Sequence, residues 1–418
     1  MAKKEYDWEG GAELKDHSKK KHKVLKEYIA EYMNVRCRLP QQSRFRLAVV
    51  DGFAGAGRYN NGEAGSPIIL LETIRDAAIE IAIRRGVENM APIEIDLLLV
   101  LNDADTGAIE QCRENLAPIL AAIPDSAAQL NVETLILSQA FEEVYPQIKC
   151  EIASRGFKSN VIFNLDQYGV SQVSFDTLRD ILSSHPSAEI FLTFAINTLV
   201  AYLPKHDIEM LRARLLPFGV DVSALTDPEA VLSRDEWLGA AERLVFQALL
   251  GVSPYTSPFS IHNPQGWRYW MVHFANNYRA RQVYNDILHQ NASSQAHYGR
   301  SGLRMLSYNP DHNEGALYLF GEEDRARAKA ELYDDIPRTV ANYGDALEVG
   351  EFYERIYNET PSHSDDIHSM MIENEDIQII TPGGGERRVP NTISRNDMIL
   401  LKPQKSFFSL LFPGGKKS

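Results

Sequence analysis

Cysteine is scarce in this chain, with three residues, Cys37, Cys112 and Cys150, among 418. They are widely spaced and lack the close pairs that a structural zinc site or a secreted disulfide framework needs, so reduced thiols and no metal centre are expected. No nucleophilic cysteine stands out, which argues against carbon-5 cytosine chemistry, a reaction that requires covalent attack. Long apolar runs are missing too: none approaches the ~20 residues needed to cross a bilayer. The stretch Met1 to Trp8 is charged and shows no cleavage-site pattern, so the reading is a cytoplasmic protein without a membrane partner. The chain has no internal repeat or low-complexity tract, and 44% hydrophobic with 24% charged residues is the balance of an ordinary soluble protein.

Positive charge is in deficit as well. Lys and Arg number 43 against 57 Asp and Glu, a net charge of −14. A protein that coats nucleic acid needs a basic surface whose counterions are released, so any contact with DNA or RNA must be local. Two stretches offer one: Lys15 to Lys26, and the tail containing Arg387, Arg388, Arg395, Lys402, Lys405, Lys416 and Lys417. Each basic end is either a phosphate contact or a solvated face.

The length exceeds what one hydrophobic core usually organises, so two domains are expected. Residues 17 to 35 carry Val24, Tyr28, Ile29 and Tyr32 at helical spacing, a helix with one buried stripe. Arg46 to Phe53 is a short apolar run ending in a glycine-rich turn, the pattern of a fully buried strand. Similar runs recur at Ile95 to Leu101, Val132 to Leu137, Asn160 to Leu165 and Ala188 to Ala195, each separated from the next by a helical stretch. That alternation predicts βαβ units and a parallel sheet covered on both faces. Residues 204–258 read as a helical insertion, and Tyr269 to Ala275 as a further strand before a helix at Arg279 to Gln290. The fold class is thus α/β, a Rossmann-like sheet over residues 1–320. A smaller module over 321–418 places helices at Glu322 to Tyr343, Leu347 to Asn358 and Ser364 to Glu373 before strands at Ile377 to Thr381 and Met398 to Leu401. Helices followed by a β-ribbon predict a winged-helix-like module.

Chemistry is expected at the carboxyl ends of the strands, where open α/β sheets bind ligands. In Asp51-Gly52-Phe53-Ala54-Gly55-Ala56-Gly57 the glycines follow a buried strand and let backbone pass close to a nucleoside cofactor. Asp51, Phe53, Ala54, Gly55 and Gly57 are therefore candidate cofactor contacts. After the second strand, Asp103 is placed to accept hydrogen bonds from ribose hydroxyls, or else to cap the next helix, for which Asp105 is the better N-cap. Gln139 and Ala140 follow the third strand, where an amide would meet an adenine. The acidic loops suit the cationic sulfonium and amine of S-adenosylmethionine (SAM) better than a phosphate-bearing dinucleotide. The fourth strand ends in Asp166-Gln167-Tyr168-Gly169. Enzymes that methylate an exocyclic amine use a carboxylate here to accept its hydrogens, a backbone carbonyl to align it and an aromatic ring to stack the base. Asp166, the carbonyl of Gln167 and Tyr168 are the candidate catalytic residues.

Read together, these segments resemble the three-Cys-motif partner family, methyltransferase-like proteins of bacteria. The resemblance rests on Asp51 to Tyr59, read as Asp-x-Phe-Ala-Gly-x-Gly-Arg-Tyr, on Gly65-Ser66-Pro67, and on Asp166 to Gly169 against Asp-Pro-Tyr/Phe-Gly. The basic first helix, Thr193 to Asn197 and Tyr269 to Asn276 add to it, and it spans about residues 15 to 320. It implies a class I SAM methyltransferase fold and a partner that carries the three cysteines, or another subunit of an anti-phage defence complex. One position departs: Gln167 stands where the family pattern has proline, which adds backbone freedom and a competing amide where rigidity positions the substrate.

Two functions follow as expectations. One is SAM-dependent N-methylation of an adenine or similar amine in nucleic acid, which needs only alignment for in-line transfer. The other is a catalytically reduced module that binds a nucleotide or SAM and serves as a sensor or assembly subunit. Direct DNA binding through Ser364 to Glu373 has less support, because that helix is acidic. The wing at Gly383 to Arg388 and the basic tail would touch a backbone, and the helix is as well suited to a protein contact.

Overall fold

The computed structural model describes residues 14, 16–196, 199, 207–220, 244–257, 260–262, 268–290, 295–298, 317–318 and 322–403. Asn197, most of the 204–258 insertion, and the tail lysines Lys405, Lys416 and Lys417 lie outside the described residues. The chain divides into two compact units, residues 1–287 and 288–418.

In the first unit α1 (Asp16–Arg36) precedes an alternating series: β1 (Arg44–Asp51), α2 (Ser66–Val87), β2 (Glu94–Asn102), α3 (Thr106–Ser126), β3 (Leu130–Leu137), α4 (Phe141–Ser154), β4 (Val161–Leu165), α5 (Phe175–Ser184) and β5 (Ala188–Phe194). Then come α6 (Ile208–Leu215), β6 (Tyr255–Ser257), β7 (Ser260–His262), β8 (Arg268–Ala275) and α7 (Tyr278–Gln290), which runs on past residue 287. The five strands β3-β2-β1-β4-β5 lie side by side in that order, all parallel. Strand β8 joins β5 antiparallel, and β6 and β7 pair with successive stretches of β8, from Tyr255 opposite Ala275 to His262 opposite Arg268. The insertion read from sequence as helical thus contains a strand at its end. The protein is α/β with a mostly parallel central sheet.

The strands form because their side chains have nowhere else to go. β4 and β5 are buried at every position, and β1 and β2 at nearly every one, as expected of parallel strands covered on both faces. β3, at the edge, buries only Leu130, so covering on both faces does not extend to it. The chain runs outward from β1 to β2 and β3, then returns to place β4 on the other side of β1. That reversal puts a topological switch point between β1 and β4.

Two anchors fix the amino-terminal side of the sheet. The buried stripe of α1 packs Tyr28 edge-on against Phe191, with its hydroxyl donating to the Glu189 carboxylate. Arg85, at the end of α2, is 1% exposed and donates to five backbone carbonyls: Ala91 (2.7 Å), Cys37 (3.1 Å), Leu39 (3.0 Å), Pro40 (3.0 Å) and Gln42 (2.7 Å). Four of these bonds hold the loop that leads from α1 into β1, and the fifth, to Ala91, holds the turn between α2 and β2. Nearby, Asp96 receives Arg44 at 2.6 Å, Arg46 at 3.2 Å and Asn131 at 3.2 Å.

In the second unit β9 (Gln295–Tyr298) and β10 (Leu317–Tyr318) pair antiparallel. They are followed by α8 (Glu322–Ala341), β11 (Ala346–Glu348), α9 (Val349–Ile356), α10 (Ser364–Glu373), β12 (Ile377–Ile380) and β13 (Met398–Leu401). The last three strands form an antiparallel sheet in the order β11-β13-β12. β11 falls where the sequence reads as the start of a helix. Between β12 and β13 a tight turn is closed by Thr381 N–H donating to the Gly385 carbonyl at 2.7 Å, with Gly384 at φ 84°. Arg325 of α8 pairs with Asp366 of α10, and α10 also packs against β12 and the short 3-10 turn Pro390–Thr392.

Candidate functional site

The carboxyl end of β1 finishes in Asp51, which is fully buried. Its Oδ1 accepts from Asn164 Nδ2 at 3.2 Å and from Phe53 N–H at 3.4 Å. Burial pushes the Asp51 carboxyl up to about 7, a rise that the Ser66 hydroxyl moderates and the charge of Asp166 reinforces. The glycine-rich turn beyond it needs its glycines for two different reasons. Gly55 and Gly57 sit at φ 57° and 74°, the left-handed region that side chains avoid. Gly52 is packed so closely that a Cβ would lie 2.7 Å from Phe141 and 2.8 Å from Leu165.

The last side chain of β2 and the one that follows it hold this turn. Asn102, buried, donates from Nδ2 to the carbonyls of Gly52 (3.2 Å) and Gln139 (2.9 Å), while its Oδ1 accepts Gln139 N–H at 3.2 Å. One amide therefore ties together the loops after β1, β2 and β3. Asp103, half-buried, accepts Gly55 N–H at 2.8 Å through Oδ2 and Asp105 N–H at 2.9 Å through Oδ1. It does not cap α3: Asp105 does, accepting Ala108 N–H at 3.0 Å. Gln139 and Ala140 are exposed beside it, whereas Ala54 is buried and Phe53 packs on the Phe141 ring. The left-handed glycines and the exposed loop at Gln139 and Ala140 lie together at this edge, with Asp103 bracing the turn between them.

Across the switch point, β4 delivers Asp166. Its carboxylate does not stand open: Lys21 Nζ of α1 donates to both oxygens, at 2.5 and 2.7 Å. Burial raises the Asp166 carboxyl, but the Lys21 charge and hydrogen bond, with the Thr193 hydroxyl, outweigh it and hold it below its ordinary value. His22, next to Lys21, is driven down to about 4 by burial and by that same charge, so it is neutral at pH 7, and its buried Nδ1 finds no partner. These groups line one small cavity together with Ser66, Asn164, Phe191 and Met271. Its wall reaches the glycine-rich turn through Asn164, which also binds Asp51.

Gln167 behaves differently from the slack position its replacement of proline predicts. The side chain is 3% exposed and turns inward, where Oε1 accepts Gln172 N–H at 2.9 Å and Val173 N–H at 3.1 Å. The amide closes the loop by hydrogen bonds where a proline would stiffen it by its ring. Tyr168 is 49% exposed and lies outside the lining of the cavity.

The structure thus brings Asp51, Gly55, Gly57, Asp103, Gln139, Ala140 and Asp166 to one edge of the sheet. Sequence reasoning passed over Lys21, His22, Asn102, Asn164 and Thr193. The asparagines left a trace, since an amide closing an otherwise apolar buried strand must find backbone partners. Among the described residues no group of three or more His, Cys, Asp and Glu side chains is placed to hold a metal ion. Compared with known proteins, the chain matches no family model, and a search of curated proteins finds no match.

Proposed function

We propose that the first unit is a Rossmann-like, SAM-dependent N-methyltransferase domain that acts on an adenine or similar amine in nucleic acid. The observation that carries this reading is a coincidence at the switch point. A turn with two left-handed glycines, braced by Asp103, lies on one side of it, and a carboxylate, Asp166, lies on the other, with Asn164 touching both strands. Five parallel strands followed by a reversed one at the β5 edge support a sheet of methyltransferase type. When bound, SAM would supply an electrophilic methyl group. Asp103 and the loop at Gln139 and Ala140 would hold its nucleoside, the turn at Gly55 and Gly57 would pass beside its amino-acid arm, and Asp166 would align the acceptor amine.

Titration calorimetry with SAM and with its demethylated product tests the cofactor assignment. Both are expected to bind, and Asp103→Ala to weaken them by at least about tenfold, a loss of one charge-assisted hydrogen bond. If neither compound binds the intact chain, the assignment is wrong.

One observation favours the second reading, a catalytically reduced SAM- or nucleotide-binding subunit of a defence complex: the acceptor carboxylate is already filled by Lys21. Transfer of labelled methyl from SAM to DNA, RNA or a partner protein separates the two. Nucleic-acid contact through the amino-terminal basic run has reduced support, because Lys19 and Lys21 face Glu63 and Asp166 of the same chain. For the second unit, a winged-helix reading is supported by three helices and a three-stranded antiparallel sheet whose first strand, β11, follows the first helix and whose other two strands follow the third. Its helix α10 carries Asp365 and Glu373 outward, which suits a protein contact better than a phosphate backbone.

A further inference from the structure

We propose that the cavity beside Asp166 is a recognition site for an alkylammonium group, and that Lys21 is its resident internal occupant. The Lys21 side chain is 9% exposed and its ammonium donates to both carboxylate oxygens of Asp166, a contact open to any compact cation with several rotatable N–H donors. Leu25, Phe191 and Met271 wall the cavity with apolar surface, which suits a methylene stem leading to the charge. The Thr193 hydroxyl supports the carboxylate from the other side, and neutral His22 adds no competing charge.

A neutral guest that merely displaced Lys21 is a poor match to this seat, because it would leave the charge on half-buried Asp166 uncompensated. The backbone of α1 is anchored independently by Tyr28 and Glu189, so an incoming ammonium has only the flexible side chain of Lys21 to displace. This inference goes beyond the methyltransferase reading: an ammonium seated on Asp166 has no lone pair to take a methyl group, so the seat recognises a cationic group of a ligand or partner, which enters by exchanging with Lys21.

The test uses the full chain. Lys21→Ala deletes a fragment equivalent to n-propylammonium, so that cation, added at several times its Kd, is expected to raise the Tm of the variant by roughly 2–4 °C. n-Propanol and adenosine should have no effect, and neither should the cation on the Lys21→Ala, Asp166→Asn double variant. Should Lys21→Ala fail to fold, Lys21→Met keeps the stem and removes only the ammonium, and ammonium chloride compared with sodium chloride replaces the probe. Stabilisation by adenosine in place of the cation, or by neither, overturns the proposal. Calorimetry with SAM on the unaltered chain reads the methyltransferase assignment separately, so the two can fail independently.

Discussion

At its amino end β1 follows a loop whose carbonyls converge on Arg85, and β2 starts nearby with Asp96 in the grip of Arg44, Arg46 and Asn131. At its carboxyl end β1 finishes in Asp51, fully out of water, with its charge opposed by burial and by Asp166. The contrast is sharpest between the two carboxylates. Burial raises Asp96 too, yet the hydrogen bonds and charges of Arg44 and Arg46 and the amide of Asn131 more than reverse it, so its carboxyl lies below the ordinary value. Asp51, on the adjacent strand, goes up to about 7. One edge of the sheet is compensated for stability; the other holds groups in states that folding alone would not choose, which is where ligand chemistry is found.

Four substitutions would break or sharpen that contrast. The largest effect belongs to Arg85→Ala, which strips five carbonyls of their donor. At about 1 kcal/mol for each bond the loss is roughly 5 kcal/mol, read as a lower urea midpoint, and Arg85→Lys should recover little because three donors cannot satisfy five acceptors.

Next comes a pair with opposite signs. Asp51 has a folded pKa of about 7, above the ordinary carboxylate value, so between about pH 4 and 7 the native state holds a proton the unfolded chain has released, and stability falls as pH rises. Asp51→Asn should therefore stabilise the protein by up to about 4 kcal/mol near pH 8 and by almost nothing near pH 4. Asp96 is depressed, so its stabilisation is present above the unfolded pKa and is lost as pH falls; Asp96→Asn should destabilise at neutral pH and converge with the parent in acid. Parallel pH profiles for the two variants would refute the contrast. The smallest effect is expected from Gly52→Ala, where the new methyl must push Phe141 and Leu165 aside, at a cost of about 2 kcal/mol in thermal unfolding.

Much of this architecture was legible in the residues. Buried parallel strands announce themselves as apolar runs, and β1, β2, β4, β5 and β8 fall within two residues of where those runs lie; α10 and β13 coincide with theirs. The glycine turn and Asp105 as N-cap were equally readable, because backbone conformation and capping are local. What escaped was set by distance along the chain. β6 and β7 are three residues each, Tyr-Thr-Ser and Ser-Ile-His, and are strands only because β8 runs beside them. Lys21 meets Asp166 from 145 positions away, and Arg85 reads as one more surface arginine of a helix until the loop it gathers is seen. Gln167 was legible as a departure from proline, but not as a side chain that would turn inward to brace its own loop.

The single amide of Asn102 has a mechanical consequence. Because it grips backbone after β1 and after β3 at once, those segments cannot shift separately without breaking a bond made out of reach of solvent. Pressure from a guest on the Gln139 peptide is thereby passed to Gly52, and from there, through its amide bond to the Asn164 carbonyl, to the strand that carries Asp166. The rim would stiffen as one piece, each end of a bound molecule sensing whether the other has settled.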